Sequence, residues 1–219
     1  MSTTTTDGPR PTTTDTPSGE GDDLVRLPRR RLDVLLIAFG IVATLAFAVA
    51  GGLLQWGANF ADDYVHDELS SQNVFFPDAD GLREEGREDL LKYADQQVTT
   101  GAEAEAYAGY IQGHLEGIAG GQTYAEIDDR GAAAAVDDAR ENGASQAEID
   151  ELQATADELR GQRDSLFRGE TLRGLLLTSY AWATVGAIAG IAAVGAFVAA
   201  ALMAALVIAG IVHLRRTKA

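Results

Sequence analysis

"RGLLLTSYAWATVGAIAGIAAVGAFVAAALMAALVIAGIVHLRR" occupies residues 173–216, and from Gly174 to Leu214 it holds no Asp, Glu, Lys or Arg. Those 41 residues are about twice the length of one bilayer crossing. Whether they cross once or twice decides the architecture of the whole chain. A second apolar block, Val34 to Leu54, is uncharged over 21 residues and long enough to span alone.

Arginines flanking a span tend to remain cytoplasmic, and "RLPRRR" places Arg26, Arg29, Arg30 and Arg31 just before the first block. The N-terminal flank is therefore read as cytoplasmic and the middle of the chain as extracytoplasmic. Arg215, Arg216 and Lys218 follow the second block. A single second crossing returns them to the cytoplasm, in agreement with the same rule; two crossings would not. The expected order is a cytoplasmic tail over 1–33, transmembrane helix 34–56, an extracytoplasmic helical domain over 57–189, transmembrane helix 190–214 and a basic cytoplasmic end at 215–219. The fold class is all-α, with the cell membrane as location and the bilayer as first partner. Ala48-Val49-Ala50 has the small residues of a signal-peptidase site, but the apolar run continues to Trp56 and reads as a retained span.

One crossing leaves helix to spare. From Arg173 to Arg215 a helix measures roughly 63 Å, against about 40–45 Å for a bilayer with its headgroups. Gly174 to Ala189 is therefore expected to stand above the membrane and to pack on the continuation of the first span, "QWGANFADDYVHDEL". Ala183 and Ala187 are expected at packed positions, and Trp182 is expected to lie about 12 Å above Trp56. Gly186, Ala189, Gly190 and Ala193 have the small-residue spacing that lets helix backbones approach closely, either within the chain or in a homodimer.

Charge is distributed by segment. The net charge of −16 arises in residues 57–173, where 27 acids face nine bases. A surface of that sign repels phosphates, so nucleic acid is excluded as a partner. Cysteine is absent, which removes disulfides, thiolate metal sites and cysteine nucleophiles. Residues 1–23 are rich in Thr, Pro and Gly and too poor in apolar groups to fold.

The middle reads as helices. The first span should run to Pro77 and the following Asp/Gly cluster; a second helix should carry Leu82, Leu90, Leu91, Ala94 and Val98 to Gly101. A third should bury Ala104, Tyr107, Ile111, Leu115 and Ile118 and end at Gly120-Gly121. Thr123 with Glu126, and Ser145 with Glu148, have capping-box spacing for two further helices. Ile149, Leu152, Ala156, Leu159, Arg163 and Leu166 then form a coiled-coil-like seam in a helix over 146–172 that feeds the second span.

Catalytic signatures are missing: there is no phosphate loop, nucleophile elbow or His-Glu-x-x-His. In "ADDYVHDE", Asp62 and His66, and Asp63 and Asp67, each lie four apart as a divalent cation would need, but in so acidic a region they are read as a charged helix surface beside the membrane. "DADG" at 78–81 starts like a calcium loop without the remaining ligands. His114 with Tyr107 and Tyr110 reads as a polar tip at a helix interface. No cofactor is called for.

The stretches "NVFFP", "YAGYIQGHL", "GGQTYAEI" and "LFRGETLRGLLL" resemble a family of uncharacterised actinobacterial membrane proteins with two spans around an outer helical region. The likeness covers about residues 30–216 and implies that architecture without an assigned activity or site residue. Similar sequences sometimes carry the label aromatic ring-opening dioxygenase, a chemistry that commonly needs iron held by two His and a carboxylate. With His213 at the inner membrane edge, only His66 and His114 could pair here, and neither sits in a recognisable motif. The expected function is thus a non-enzymatic envelope protein that binds or scaffolds a partner; the alternative is an extracytoplasmic ligand sensor signalling through a partner, since only Arg215 to Ala219 follow the second span.

Overall fold

The computed structural model describes residues 29–216. Residues 1–28 of the expected tail over 1–33 and the last three residues lie outside them, while residues 29–33, expected in that tail, form the first turn of α1. Five α-helices and one 3-10 helix account for most of the described chain: α1 (Arg29–Ser71), α2 (Ala79–Glu84), the 3-10 helix (Glu88–Tyr93), α3 (Gly101–Ile118), α4 (Asp129–Glu141) and α5 (Gln146–Arg216). Among the described residues there is no β-strand beyond an isolated bridge between Phe75 and Gln97.

α5 is one uninterrupted helix of 71 residues, roughly 105 Å long. It contains the coiled-coil-like seam, the uncharged block and the final arginines, so the seam does feed the second apolar block without a break. α1 and α5 are both long and apolar enough to cross a membrane, and the rest of the chain buries only 11% of the most apolar window of each.

The two long helices are antiparallel. Ile37 meets Gly210, Gly40 meets Val207, Gly51 meets the Phe197 ring, and Ala58 and Ala61 meet Gly186. α3 starts on α5 beside the last turns of α1, with Gly101 against Ala183 and Tyr180, and runs on past the end of α1, where Leu115 meets Gly169; α4 follows, where Arg140 donates to Gln153 at 3.0 Å. α5 is therefore a spine on which α1, α3 and α4 are laid in turn.

Each connection has a local cause. Asn73 takes a left-handed φ of 54° just after α1. Asp78 caps α2 by accepting from the Gly81 N–H at 2.7 Å. The second expected helix does not form as one piece: Gly86 at φ 69° and Asp95 at φ 61° break it into α2, the 3-10 helix and an extended segment. Its apolar side chains still converge. Leu82, Leu90 and Val98 join Val65, Leu69, Phe76, Ala104, Ala108 and Leu176 in the main core.

Thr100 and Glu103 form a reciprocal capping box at the start of α3. Burial pushes the Glu103 carboxyl up, but the N–H groups and hydroxyls of Thr99 and Thr100 outweigh it and hold the carboxyl below its ordinary range. The buried face of α3 is Gly101, Ala104, Ala108 and Leu115; Ile118, expected inside, is exposed because the face has rotated toward Ala119. Thr123 and Glu126 do bond to each other, at 2.8 Å, yet they close a turn and do not start a helix. Asp128 caps α4, accepting from Gly131. Ser145 accepts from Glu148 at 3.3 Å at the start of α5, as the spacing predicts.

Candidate functional site

Three regions carry the residues singled out by sequence. The first is the small-residue stripe. Gly186 is buried against α1, where an added Cβ would come within 2.9 Å of the Ala61 Cβ, and Ala193 is 0% exposed. Ala189 and Gly190 are half-buried, and Gly190 faces Ala58. These four positions lie along the seam with α1, so the close approach they permit is used within the chain.

The second is the stretch of α5 over residues 174–189. Its inward side packs as expected, through Leu176, Ala183 and Gly186. Ala187 does not: it is exposed, at the rim of the face that meets α1 and α3 through 183, 186 and 190. The outward side is exposed and apolar. Leu175 is 63% exposed, Trp182 49% and Val185 55%, and Leu177, Thr178 and Ala181 lie among them around a shallow depression. By the α1–α5 register Trp182 is level with Val65 and His66, about 14 Å beyond Trp56. At that height the exposed residues of α1 are Asp62, Asp63, Tyr64, His66, Asp67 and Glu68, all but the tyrosine ionisable. The hairpin is thus charged on one side and apolar on the other at the same level.

On the α1 side the charged segment is continuous with an aromatic ladder. Trp56 stacks on Phe60 at 5.9 Å and Phe60 on Tyr64 at 6.1 Å. Ala61, Val65 and Leu69 turn inward, which leaves Asp62, Asp63, His66 and Asp67 on solvent. Among the described residues no three His, Asp or Glu side chains come together as a metal ion would need. "DADG" serves as the cap and first turn of α2.

The third region is a groove of about 440 Å³ between the α2 end and α3, lined by Glu85, Arg87, Tyr110, His114 and Ile118 over the bare backbone of Gly113 and Gly117. Arg87 donates to Asp89 through Nε and Nη2 at 3.0 Å each and to the Gly109 carbonyl at 3.1 Å. The pairing with Arg87 holds the Asp89 carboxyl below its ordinary range. The Tyr110 hydroxyl donates to Glu85 at 3.2 Å, His114 Nε2 lies 3.8 Å from the same carboxylate oxygen, and the two rings are 4.6 Å apart. His114 is therefore a polar tip on a helix surface, with Glu85 as its neighbour. Sequence reading found the ring pair but not Glu85 or Arg87, which come from another element with no motif to mark them.

Burial, then the bond to Glu85, pushes the Tyr110 hydroxyl up to about 12. The unfolded chain ionises this group near 10, so the stability it contributes is complete below pH 10 and is lost as pH rises toward 12. Alkaline unfolding followed by circular dichroism should accordingly be steeper between pH 10 and 12 in the native sequence than in Tyr110→Phe. Parallel curves would show that the phenol does not sense folding.

A separate ion pair fixes α4. Arg163 pairs with Asp129, donates to the Ile127 carbonyl at 3.4 Å and lies 4.4 Å from the Tyr124 ring centre. This accounts for the charged residue inside the otherwise apolar seam of α5. No protein-family model, curated protein or solved structure matches the chain.

Proposed function

We propose that this is a non-enzymatic integral membrane protein whose outer helical domain binds a membrane-embedded partner of the cell envelope. In this reading α1 and α5 each cross the bilayer once, both termini are cytoplasmic, and residues 57–189 are outside. The low burial of the apolar windows supports insertion, because a core helix of a water-soluble fold would be covered by its neighbours.

The observation that carries the partner reading is the apolar side of outer α5. Trp182 and Val185 are exposed at the height where α1 presents Asp62, Asp63, His66 and Asp67, and exposed Leu175 lies about 10 Å further along α5, level with the end of α1. A bilayer deep enough to cover the strip would have to admit those charges, at a cost of several kcal/mol. A partner can cover one side alone. The strip is a few side chains wide, whereas a stable interface takes roughly 800 Å² per partner. The contact must therefore extend, and the same helix continues toward the membrane through exposed Ile188, Ile191 and Val194. A partner with its own span fits that geometry.

The sensor alternative draws on the groove at Glu85, Arg87, Tyr110 and His114. The two readings separate in one experiment, using single cysteines in the full chain, which has none of its own. In native membranes, an impermeant thiol reagent applied from outside should label Ser145→Cys in the distal turn. Trp182→Cys and Val185→Cys should stay unlabelled until detergent strips the partner, and a photo-crosslinker at 182 should capture one membrane protein reproducibly. Free labelling at 182 and 185 would discard the partner reading. Labelling of Ser145→Cys only after permeabilisation would overturn the topology.

A further inference from the structure

We propose that the α1–α5 end carrying Arg30, Arg31, Arg215 and Arg216 is a binding site for one anionic phospholipid, with part of an acyl chain in the cleft between the helices and the phosphate among the guanidinium groups. The proposal rests on the membrane reading above. Its basis is the antiparallel register: contacts between Ile37 and Gly210 and between Gly40 and Val207 bring the start of α1 level with the end of α5. Four arginines from opposite ends of the chain thereby share one plane, and all four are exposed. Asp33 is the only acid among the described residues at this end, so positive charge is in excess.

Directly beyond the arginines a cleft of about 210 Å³ opens along the helix seam. Leu36, Ile37, Met203, Leu206 and Val207 form its apolar walls, Gly40 and Gly210 add no side chain to it, and Asp33 and His213 lie toward the arginine end. A free phosphate would use only the arginines and a neutral lipid only the cleft. An amphiphile with a negative head uses both, and at the cytoplasmic face of a bilayer anionic phospholipid is that amphiphile.

The test uses the full chain in nanodiscs of equal phosphatidylglycerol and phosphatidylcholine with identical acyl chains, followed by gentle release and native mass spectrometry. One phosphatidylglycerol should be retained at least about tenfold over phosphatidylcholine, which corresponds to about 1.4 kcal/mol. The quadruple variant R30Q/R31Q/R215Q/R216Q should lose the headgroup preference, and Leu206→Trp, which fills the cleft with every arginine in place, should lower retention by a similar factor. Excess inorganic phosphate should not displace the lipid. Equal retention of the two lipids by the native sequence, a preference that survives the quadruple variant, or complete displacement by phosphate would each overturn the site. Alkaline extraction of the chain from native membranes separates the two levels: release without detergent defeats the membrane reading and this site with it, whereas a chain that stays embedded but shows no headgroup preference defeats this site alone.

Discussion

Ala183→Asp is expected to destabilise the helical domain built on α5 by about 3–5 kcal/mol, the cost of leaving a carboxylate without a partner inside a packed contact. Ala183 packs against the main core and faces Gly101 at the start of α3. There is no room beside that backbone for a larger side chain. Ala187→Asp is the matched control. It lies four residues further along α5 but is exposed, so its cost should be below about 1 kcal/mol. Thermal unfolding in detergent, followed by the near-ultraviolet signal of the aromatic residues, measures both. Equal losses at 183 and 187 would mean that this stretch of α5 is not packed along the seam described.

Leu82→Ala is expected to cost about 3 kcal/mol, within the range for a buried leucine whose cavity cannot collapse. Leu82 is 0% exposed and lies in the core with Phe76, Leu90, Val98 and Ala108. The short helix carrying it has only six residues, too few to hold itself, so the segment between α1 and α3 depends on this side chain for its position. Limited proteolysis should cut the variant between Asn73 and Thr99 while the α1–α5 hairpin stays protected. Unchanged protection of that segment, with a small shift in melting, would show that the segment is held by its hydrogen bonds to the chain, such as Gln97 to the Ser70 carbonyl at 2.9 Å.

Acid should act in the opposite sense to alkali. Asp89, Glu103 and Glu126 are held below their ordinary range by Arg87, by the Thr99–Thr100 cap against the pull of burial, and by Thr123 respectively. The stability these bonds contribute is present above the usual carboxylate range and is lost as pH falls through the lowered values. The acid-sensitive contacts therefore lie at Arg87 and at the turns before α3 and α4, and the alkali-sensitive ones at Tyr110 in the groove and at Tyr107, whose hydroxyl burial also pushes up.

The all-α class, the two apolar helices and the passage of the seam helix into the second one were legible in sequence, because each is written in adjacent residues: an uncharged run of 41, a three-and-four repeat from Ile149 to Leu166, a serine three residues before a glutamate. Local hydrogen bonding and hydrophobic length suffice for such features. The same locality explains the errors. A left-handed Gly86 and Asp95 split a helix that its leucines alone would continue, and a threonine with capping spacing at 123 closed a turn because Asp128 offered α4 a cap next to the helix itself. Which side of an apolar helix is covered is not a local property. Residues 174–189 are apolar on every face, so their composition could not separate Ala183, which packs, from Ala187 and Trp182, which do not; that depended on the angle at which α1 and α3 meet the spine. The groove at Arg87 and the gathering of Arg30, Arg31, Arg215 and Arg216 likewise required distant segments to be placed side by side, and only the antiparallel register of α1 on α5 does that.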